Sequence, residues 1–301
     1  MNFDFGEVLN RAFQVTWKHK VLWLLNLLPM LVLVLILPVI FFFAFYANSN
    51  PGRIESLFQN PFTIMLMAVF YIVVFVTGFV LGTVARSSTT LGIIRAEDGN
   101  GSMAFMDLLR DGIQYFWKIL GVMSLYSFTV GLVFFMFFAC ITSFIFVTIG
   151  MGAICAQPIM LLLMPVSLVA YALMEQAEAA VIADNKSVMD SARIALDLVK
   201  AHFWKYVLIV LVVYFGATFV SSLITFPFMF PFFGISFLGF SSSEPFRSSM
   251  WVMGAFMLVF VPVMGFAQGV TLTFIKSALT IMYLRLTRGS QKKLEPQTDV
   301  S

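Results

Sequence analysis

Residues 5–25 read FGEVLNRAFQVTWKHKVLWLL, a short amphipathic pattern that passes through Trp17-Lys18 into a long apolar run. Before Trp17, apolar side chains recur three or four positions apart, which is the spacing of a helix with one apolar face. Trp and Lys favour the headgroup zone of a bilayer, where each can satisfy both solvents. The stretch therefore predicts an interfacial helix that turns into a membrane span at Trp17-Lys18.

Apolar runs long enough to cross a bilayer continue along the chain. Of the 301 residues, 60% are hydrophobic and 11% are charged, a composition that excludes a soluble globular domain. A hydrocarbon core about 30 Å thick needs about 20 apolar residues per helical span. The runs cover residues 21–46, 62–84, 119–145, 156–174, 205–226 and 250–284. We therefore predict an all-α integral membrane protein with six transmembrane helices.

The placement of basic residues predicts the orientation of these spans. With the N-terminus in the cytoplasm, only Arg53 and Arg247 of the 18 Lys and Arg residues lie on the outer side. Basic residues are retained on the cytoplasmic side during insertion, so both termini are predicted to be cytoplasmic. The first run is longer than the roughly 7–15 residues of a signal-peptide core, and we expect it to be retained.

The pattern of residues 5–25 recurs in each third of the chain. A short amphipathic helix leads through a Trp-Lys junction into a pair of spans, so that one membrane domain (1–288) is predicted to contain three repeats. The repeats cover residues 3–98, 102–184 and 187–288. The tail 289–301 is polar and lacks periodicity, and it is predicted to be disordered.

The Trp-Lys junctions are the predicted anchors in the inner membrane interface. They consist of Trp17, Lys18, Trp117, Lys118, Trp204 and Lys205. An alternative is that the short helices pack on the cytoplasmic ends of the bundle with little lipid contact. The two arrangements are compatible, and the sequence leaves both open.

The second span of each repeat carries a matching polar extension. Residues 86–95 and 276–285 both begin and end with a basic residue, whereas the equivalent stretch 175–184 begins and ends with an acid. A threefold arrangement would let the acids face the bases at the cytoplasmic mouth of the bundle. The predicted charge network comprises Arg86, Glu175, Glu178 and Lys276. The competing interpretation is a set of solvated helix ends, where such charges are usual.

Two GxxxG motifs predict close helix packing, since small residues four positions apart let helix backbones approach each other. They are Gly78/Gly82 and Gly265/Gly269, at comparable places in the second spans of the first and last repeats. We expect them to pair with each other inside the monomer rather than to form a homodimer. Gln268 is the deepest polar residue of the spans and is the best candidate for a polar contact inside the bundle.

Residues 226–246 (FPFMFPFFGISFLGFSSSEPF) are too rich in phenylalanine for a water-exposed loop. The segment is expected to enter the outer interface, to cover the outer mouth of the bundle or to meet a partner protein. Phe232 and Phe233 are the candidate contact residues for such a partner.

Residues that carry chemistry are sparse. The two cysteines, Cys140 and Cys155, are expected to be free buried thiols, although a single bridge on the outer side is open. His19 and His202 lie at junctions of different repeats and form no metal-binding motif. The chain contains no nucleophile elbow, phosphate loop or dinucleotide fingerprint. We expect a protein that is not an enzyme, with no catalytic residue, cofactor or metal.

The stretches FGEVLNRAFQVTWKHKVLWLL (5–25) and SVMDSARIALDLVKAHFWKYVLIVLVVYF (187–215) resemble a bacterial pattern. It is that of uncharacterised polytopic proteins related to the membrane domain fused to some glycerophosphodiester phosphodiesterases. The resemblance covers most of residues 3–288 and rests on the order of helices and spans. In fused members hydrolysis belongs to a separate soluble barrel. The resemblance therefore implies a membrane module of the bacterial cytoplasmic (inner) membrane, with no catalytic residue to transfer.

These features predict a non-enzymatic integral membrane protein, a lipid-contacting scaffold or an accessory subunit of a membrane complex. The alternative is a transporter or permease for a lipid-like or apolar substrate, because apolar bundle walls need no charged coupling site. The expected partners are membrane lipids and a further membrane protein, and no pattern for nucleic acid binding occurs. The oligomeric state stays open.

Overall fold

The computed structural model of this protein describes residues 5–49, 59–99, 103–148, 152–241 and 246–294. All regular secondary structure within these ranges is α-helical. The helices are α1 (Phe5–Lys18), α2 (Val21–Ser49), α3 (Pro61–Asp98), α4 (Phe105–Ile113), α5 (Phe116–Val147), α6 (Gly152–Ala183), α7 (Val188–Ala201), α8 (Phe203–Ser241) and α9 (Phe246–Leu294). The fold is therefore an alternation of three short helices with long ones.

Five stretches of the described helices are long and apolar enough to cross a membrane, which suits a multi-pass membrane protein. They are Pro61–Asp98, Phe116–Val147, Leu163–Ala183, Tyr206–Phe230 and Phe256–Thr287. In α2, the stretch Val21–Val32 forms a shorter apolar helix by the same measure.

Several helices extend beyond the apolar runs that predicted them. The phenylalanine-rich segment 226–246 is helical up to Ser241 and continues α8. The last helix, α9, continues to Leu294. The first part of the tail predicted as disordered is thus helical, which is consistent with the helix propensity of Gln and Lys.

Capping residues define where two helices begin. Asn60 accepts a hydrogen bond from the backbone N–H of Phe62 at 3.0 Å, with Pro61 in the first turn of α3. Ser187 accepts from the backbone N–H of Asp190 at 3.2 Å and starts α7. Such caps satisfy backbone groups that have no partner within the helix, and Pro is favoured in the first turn.

The long helices are arranged around a central group of three. Helices α3, α6 and α9 contact one another, and each also packs against the long helix that precedes it in the chain. Helix α2 lies between α3 and α9, α5 contacts α3, and α8 contacts α6. The short helices follow the same order, because α1 packs on α9, α4 on α3 and α7 on α6. The first short helix therefore closes a ring with the last long one.

The two GxxxG motifs do not pair with each other as predicted, since both face α2. A methyl group added at Gly78 or Gly82 would approach Val32 or Pro29 of α2. At Gly269 it would lie 3.1 Å from the carbonyl oxygen of Trp23. The physical reason is that α2 lies between α3 and α9 at this level, so each small-residue face packs on α2 rather than on the other motif.

The prediction that Gln268 makes a polar contact inside the bundle is wrong. Its side chain is exposed, whereas Ala267 and Gly269 on either side of it are buried. The buried polar contact belongs to Asn26, which donates from Nδ2 to Thr273 Oγ1 at 2.8 Å. Thr89 Oγ1 donates to Asn26 Oδ1 at 3.4 Å, so that α2 is joined to both α3 and α9. Rotation of α9 about its axis decides which of its polar residues faces inward.

Candidate functional site

The four residues of the predicted charge network lie together at the centre of the bundle, and we call them the central charge cluster. Arg86 is on α3, Glu175 and Glu178 are on α6, and Lys276 is on α9. Lys276 Nζ lies 2.9 Å from Glu175 Oε2 and 3.2 Å from Glu178 Oε2. Arg86 bonds Glu175 through Nη2 and lies 3.4 Å from Glu178 through Nε. Each carboxylate thus contacts both cations.

The central charge cluster is buried rather than solvated. The side chains of Glu175 and Glu178 are 0% exposed, that of Lys276 is 3% exposed and that of Arg86 is 19% exposed. Two carboxylates and two cations give the cluster no formal net charge. Taking each charge out of water costs several kcal/mol, which is offset only when the partners are close and hydrogen bonded. The cluster therefore holds α3, α6 and α9 in one relative arrangement.

An aromatic residue extends the cluster toward α8. The guanidinium carbon of Arg86 lies 5.7 Å from the centre of the Tyr171 ring, within the range of a cation–π contact. The Tyr171 ring in turn meets Tyr214 of α8 edge to face, with centroids 6.4 Å apart. The cluster is thus joined to a fourth long helix through ring contacts.

Buried hydroxyl and amide groups lie next to the cluster residues in the chain or one helical turn from them. Ser87 and Thr90 bond backbone oxygens of their own helix, at 2.9 and 3.0 Å. The amide of Gln176 and the hydroxyls of Ser277 and Thr280 are buried and have no hydrogen-bond partner among the described residues. The centre of the bundle is therefore polar, and some of its hydrogen-bonding capacity is unused.

Further polar contacts join the C-terminal parts of the central three helices to the short helices and to one another. They are Arg95 with Asp111, Arg285 with Glu7 (3.1 Å) and with Glu97 (3.4 Å), Arg11 with Glu97 (2.9 Å), and Tyr283 with Asp184 (2.6 Å). Three of these residues, Arg95, Asp184 and Arg285, are the last residues of the matching extensions 86–95, 175–184 and 276–285. The extensions thus contact one another at their beginnings, through the cluster, and near their ends, where Tyr283 bonds Asp184. Arg95 and Arg285 at the ends also contact short helices.

The short helices bury one side and expose part of their apolar residues. Trp17, Trp117 and Trp204 are all exposed, as is Lys18. Lys118 Nζ donates to Asn185 Oδ1 at 2.7 Å and so connects α5 to the loop before α7.

Some predicted residues lie outside what the structure describes. The side chains of Lys205, Cys155, Phe232 and Phe233 belong to this group. Cys140 is a free thiol, but it is exposed on the bundle surface rather than buried as expected. In the described ranges no three His, Cys, Asp or Glu residues form a group that could hold a metal ion.

The contacts of Asn26 were missed by reasoning from the sequence. A signal was nevertheless present, because Thr89 and Thr273 each lie three residues from one of the basic residues, Arg86 and Lys276, that begin the matching extensions. A polar residue on α2 at that level can hydrogen bond to both threonines.

Comparison with known protein families, with curated proteins and with solved structures found no match in any of the three.

Proposed function

We propose that this protein is a non-enzymatic scaffold or accessory subunit that resides in a bacterial cytoplasmic membrane and contacts its lipids. The observation that carries the proposal is the central charge cluster, in which two buried carboxylates are bonded to two cations across three helices. Such a cluster fixes α3, α6 and α9 relative to one another. Its charges are already paired, which suits a static membrane module better than a site that binds and releases ions.

The proposal includes a six-span organisation in three repeats. Helix α2 supplies the sixth span, because its 29 residues extend for about 43 Å at 1.5 Å per residue. The order of contacts supports the repeats, since every short helix packs on the second long helix of the preceding repeat. Helix α1 meets α9 in the same way, as a cyclic arrangement requires.

The proposed orientation has both termini in the cytoplasm and the short helices at the inner headgroup level. The three Trp-Lys junctions support this orientation, because their tryptophans are exposed and the pair of residue types favours the membrane interface. The buried side of each short helix packs on the bundle while its remaining apolar residues are free for lipid.

A transporter for a lipid-like or apolar substrate is the second candidate, and one observation favours it. Gln176, Ser277 and Thr280 are buried next to or one turn from Glu175 and Lys276 in the chain, and their polar groups find no hydrogen-bond partner in the described part of the protein. Ionisable groups inside a membrane protein often mark a pathway for ions or protons.

Solvent access to the centre distinguishes the two candidates. We would introduce Ser277→Cys into a chain in which Cys140 and Cys155 are alanine, and apply a membrane-impermeant maleimide to intact cells and to inverted vesicles. A scaffold should leave this cysteine unlabelled from both sides until the protein is denatured. Labelling of the folded protein from either side would show that water reaches the centre and would favour the transporter.

Lys20→Cys is the matched control for this experiment. Lys20 is exposed in the turn between α1 and α2. The cysteine at this position should react in inverted vesicles and stay unlabelled in intact cells. Labelling from the outside would contradict the proposed orientation without affecting the conclusion about the centre.

A further inference from the structure

A cavity of about 440 Å³ lies at the end of α1, where the chain turns into α2. Its volume falls in the range of about 300–1,000 Å³ that is usual for ligand pockets. Arg11, Phe13, Trp17, Lys18 and His19 contribute to its walls. The walls thus combine basic groups with aromatic rings.

The basic part of the cavity has room for an anion. Lys18 is exposed and forms no ion pair within the described part of the chain. Arg11 uses its Nε to bond Glu97 at 2.9 Å and remains partly exposed. Arg285 contacts Glu97 at 3.4 Å and Glu7 at 3.1 Å, so the two arginines and the two acids have no net charge together. Lys18 therefore supplies the excess positive charge at the cavity. Burial is the main reason that the pKa of His19 is below its usual 6.5, and the charges of Lys18 and Arg11 lower it further.

The aromatic part begins in the cavity and continues toward the bundle. The Phe13 and Trp17 rings stack with centroids 5.9 Å apart, and both are exposed. Trp17 meets Trp23 edge to face at 5.5 Å, and Trp23 meets Phe266 of α9 in the same way. A series of ring contacts thus runs from the basic groups through buried Trp23 to exposed Phe266 of α9.

We propose that this cavity binds an anionic phospholipid, with the headgroup phosphate at Lys18 and Arg11 and the acyl chains along Phe13 and Trp17. Arg and Lys are common phosphate-binding groups, and aromatic rings suit the boundary between headgroups and acyl chains. The inference deepens the proposed function and rests on the position of α1 at the inner leaflet.

The site belongs to the first repeat. At the equivalent junction of the second repeat, Lys118 is bonded to Asn185, and buried Ile119 follows it where the first repeat has His19. In the third repeat the junction is followed by buried Tyr206. One bound lipid per chain is therefore expected rather than three.

Native mass spectrometry of protein released from nanodiscs tests the proposal. The nanodiscs contain equal amounts of phosphatidylglycerol, which is anionic, and phosphatidylcholine, which carries no net charge. The intact chain should retain one phosphatidylglycerol in preference to phosphatidylcholine. Lys18→Gln should reduce this preference about fivefold, the loss expected for one cation near an anionic headgroup. Lys18→Arg should restore it, which excludes misfolding as the cause.

Lys20→Gln is the matched control, because it removes an equal charge from the same turn at a residue that does not line the cavity. It should leave the preference unchanged. If Lys20→Gln and Lys18→Gln reduced the preference for phosphatidylglycerol equally, the protein would attract anionic lipids through its overall positive charge. That result would overturn the proposed site. Equal retention of both lipids by the intact chain would also overturn it.

Soluble glycerol 3-phosphate distinguishes a lipid from a free phosphate compound. Added to protein that carries one bound phosphatidylglycerol in neutral detergent, it should bind weakly and fail to displace the lipid. Its displacement of the lipid at equal concentration would assign the cavity to a soluble ligand instead. These outcomes are independent of maleimide labelling at the centre, so the lipid site and the scaffold proposal can fail separately.

Discussion

Glu175 makes the closest contacts of the central charge cluster, and its replacement by glutamine tests what the cluster contributes. The amide has nearly the shape of the carboxylate but leaves Arg86 and Lys276 with one buried counter-charge instead of two. Breaking a buried ion pair by removing one partner typically destabilises a protein by about 3–5 kcal/mol. We expect a loss in that range for Glu175→Gln, measured by unfolding in mixed micelles.

The control for this prediction is Asp197→Asn on α7, which removes an acid that is exposed. Surface substitutions of this kind usually change stability by less than about 0.5 kcal/mol. Equal effects of the two substitutions would mean that the cluster contributes no more than a surface charge.

His19 supplies a second prediction at the level of a single residue. Burial is the largest cause of its lowered pKa, followed by the charges of Lys18 and Arg11. Lys18→Gln should therefore raise the pKa of His19 while leaving it below 6.5. The pKa is measured from imidazole NMR shifts in a chain with only two histidines, where the His202 resonance serves as reference.

The direction of the His19 shift also has a consequence for stability. The unfolded chain accepts a proton at about pH 6.5, before the folded chain does, so lowering the pH below 6.5 favours unfolding until the folded pKa is reached. Lys18→Gln should reduce that loss. A His19 pKa that is unchanged by the substitution would contradict the electrostatic part of this account.

At the scale of elements, the attachment of the short helices depends on close backbone approach. Gly112 of α4 packs on Ser88 of α3, and an added methyl group would lie 2.1 Å from Ser88 Oγ and 2.9 Å from its Cα. The backbone of α3 cannot move as a flexible side chain could. The short helix therefore has to shift away from the bundle if the methyl group is present.

Gly112→Ala should destabilise the protein by about 1–3 kcal/mol, the usual cost of overpacking, and should increase hydrogen exchange in α4. Gly131→Ala on α5 is the control, since a methyl group there has nothing within 4 Å. It should be neutral or slightly stabilising, because alanine is the better helix former. Similar exchange in α4 of both variants would show that α4 is not held by this contact.

At the scale of the whole molecule, the central charge cluster couples three helices that are far apart in the chain. Glu175→Lys should be strongly destabilising, because it places a third cation beside Arg86 and Lys276. Adding Lys276→Glu should restore part of the stability, and only part, since the new lysine still faces Arg86. The coupling free energy between the two sites is obtained from unfolding of the single and double variants.

Lys200→Glu provides the matched comparison. Lys200 is exposed on α7, and its replacement by glutamate changes the net charge by the same amount as Lys276→Glu. It should not rescue Glu175→Lys. Rescue by Lys200→Glu equal to that by Lys276→Glu would mean that net charge, and not contact between α6 and α9, sets the stability.

The sequence by itself determined that the chain forms long apolar helices alternating with short ones, since length, hydropathy and periodicity are local properties. It also pointed to the contact of Arg86 and Lys276 with the acids of α6, because charges at equal spacing in three extensions indicate a common level in the bundle. The burial of these charged residues could not be predicted from the sequence, since charged residues near helix ends are usually solvated.

Only the tertiary structure decided which face of each helix meets which neighbour. It turned Gln268 outward, directed both GxxxG motifs to α2 and joined Asn26 to Thr89 and Thr273. The physical reason is that, outside the polar centre, most contacts between the helices are as apolar as lipid, so hydrophobicity does not indicate the rotation of a span about its own axis. That rotation follows from packing and polar contacts among all the helices at once.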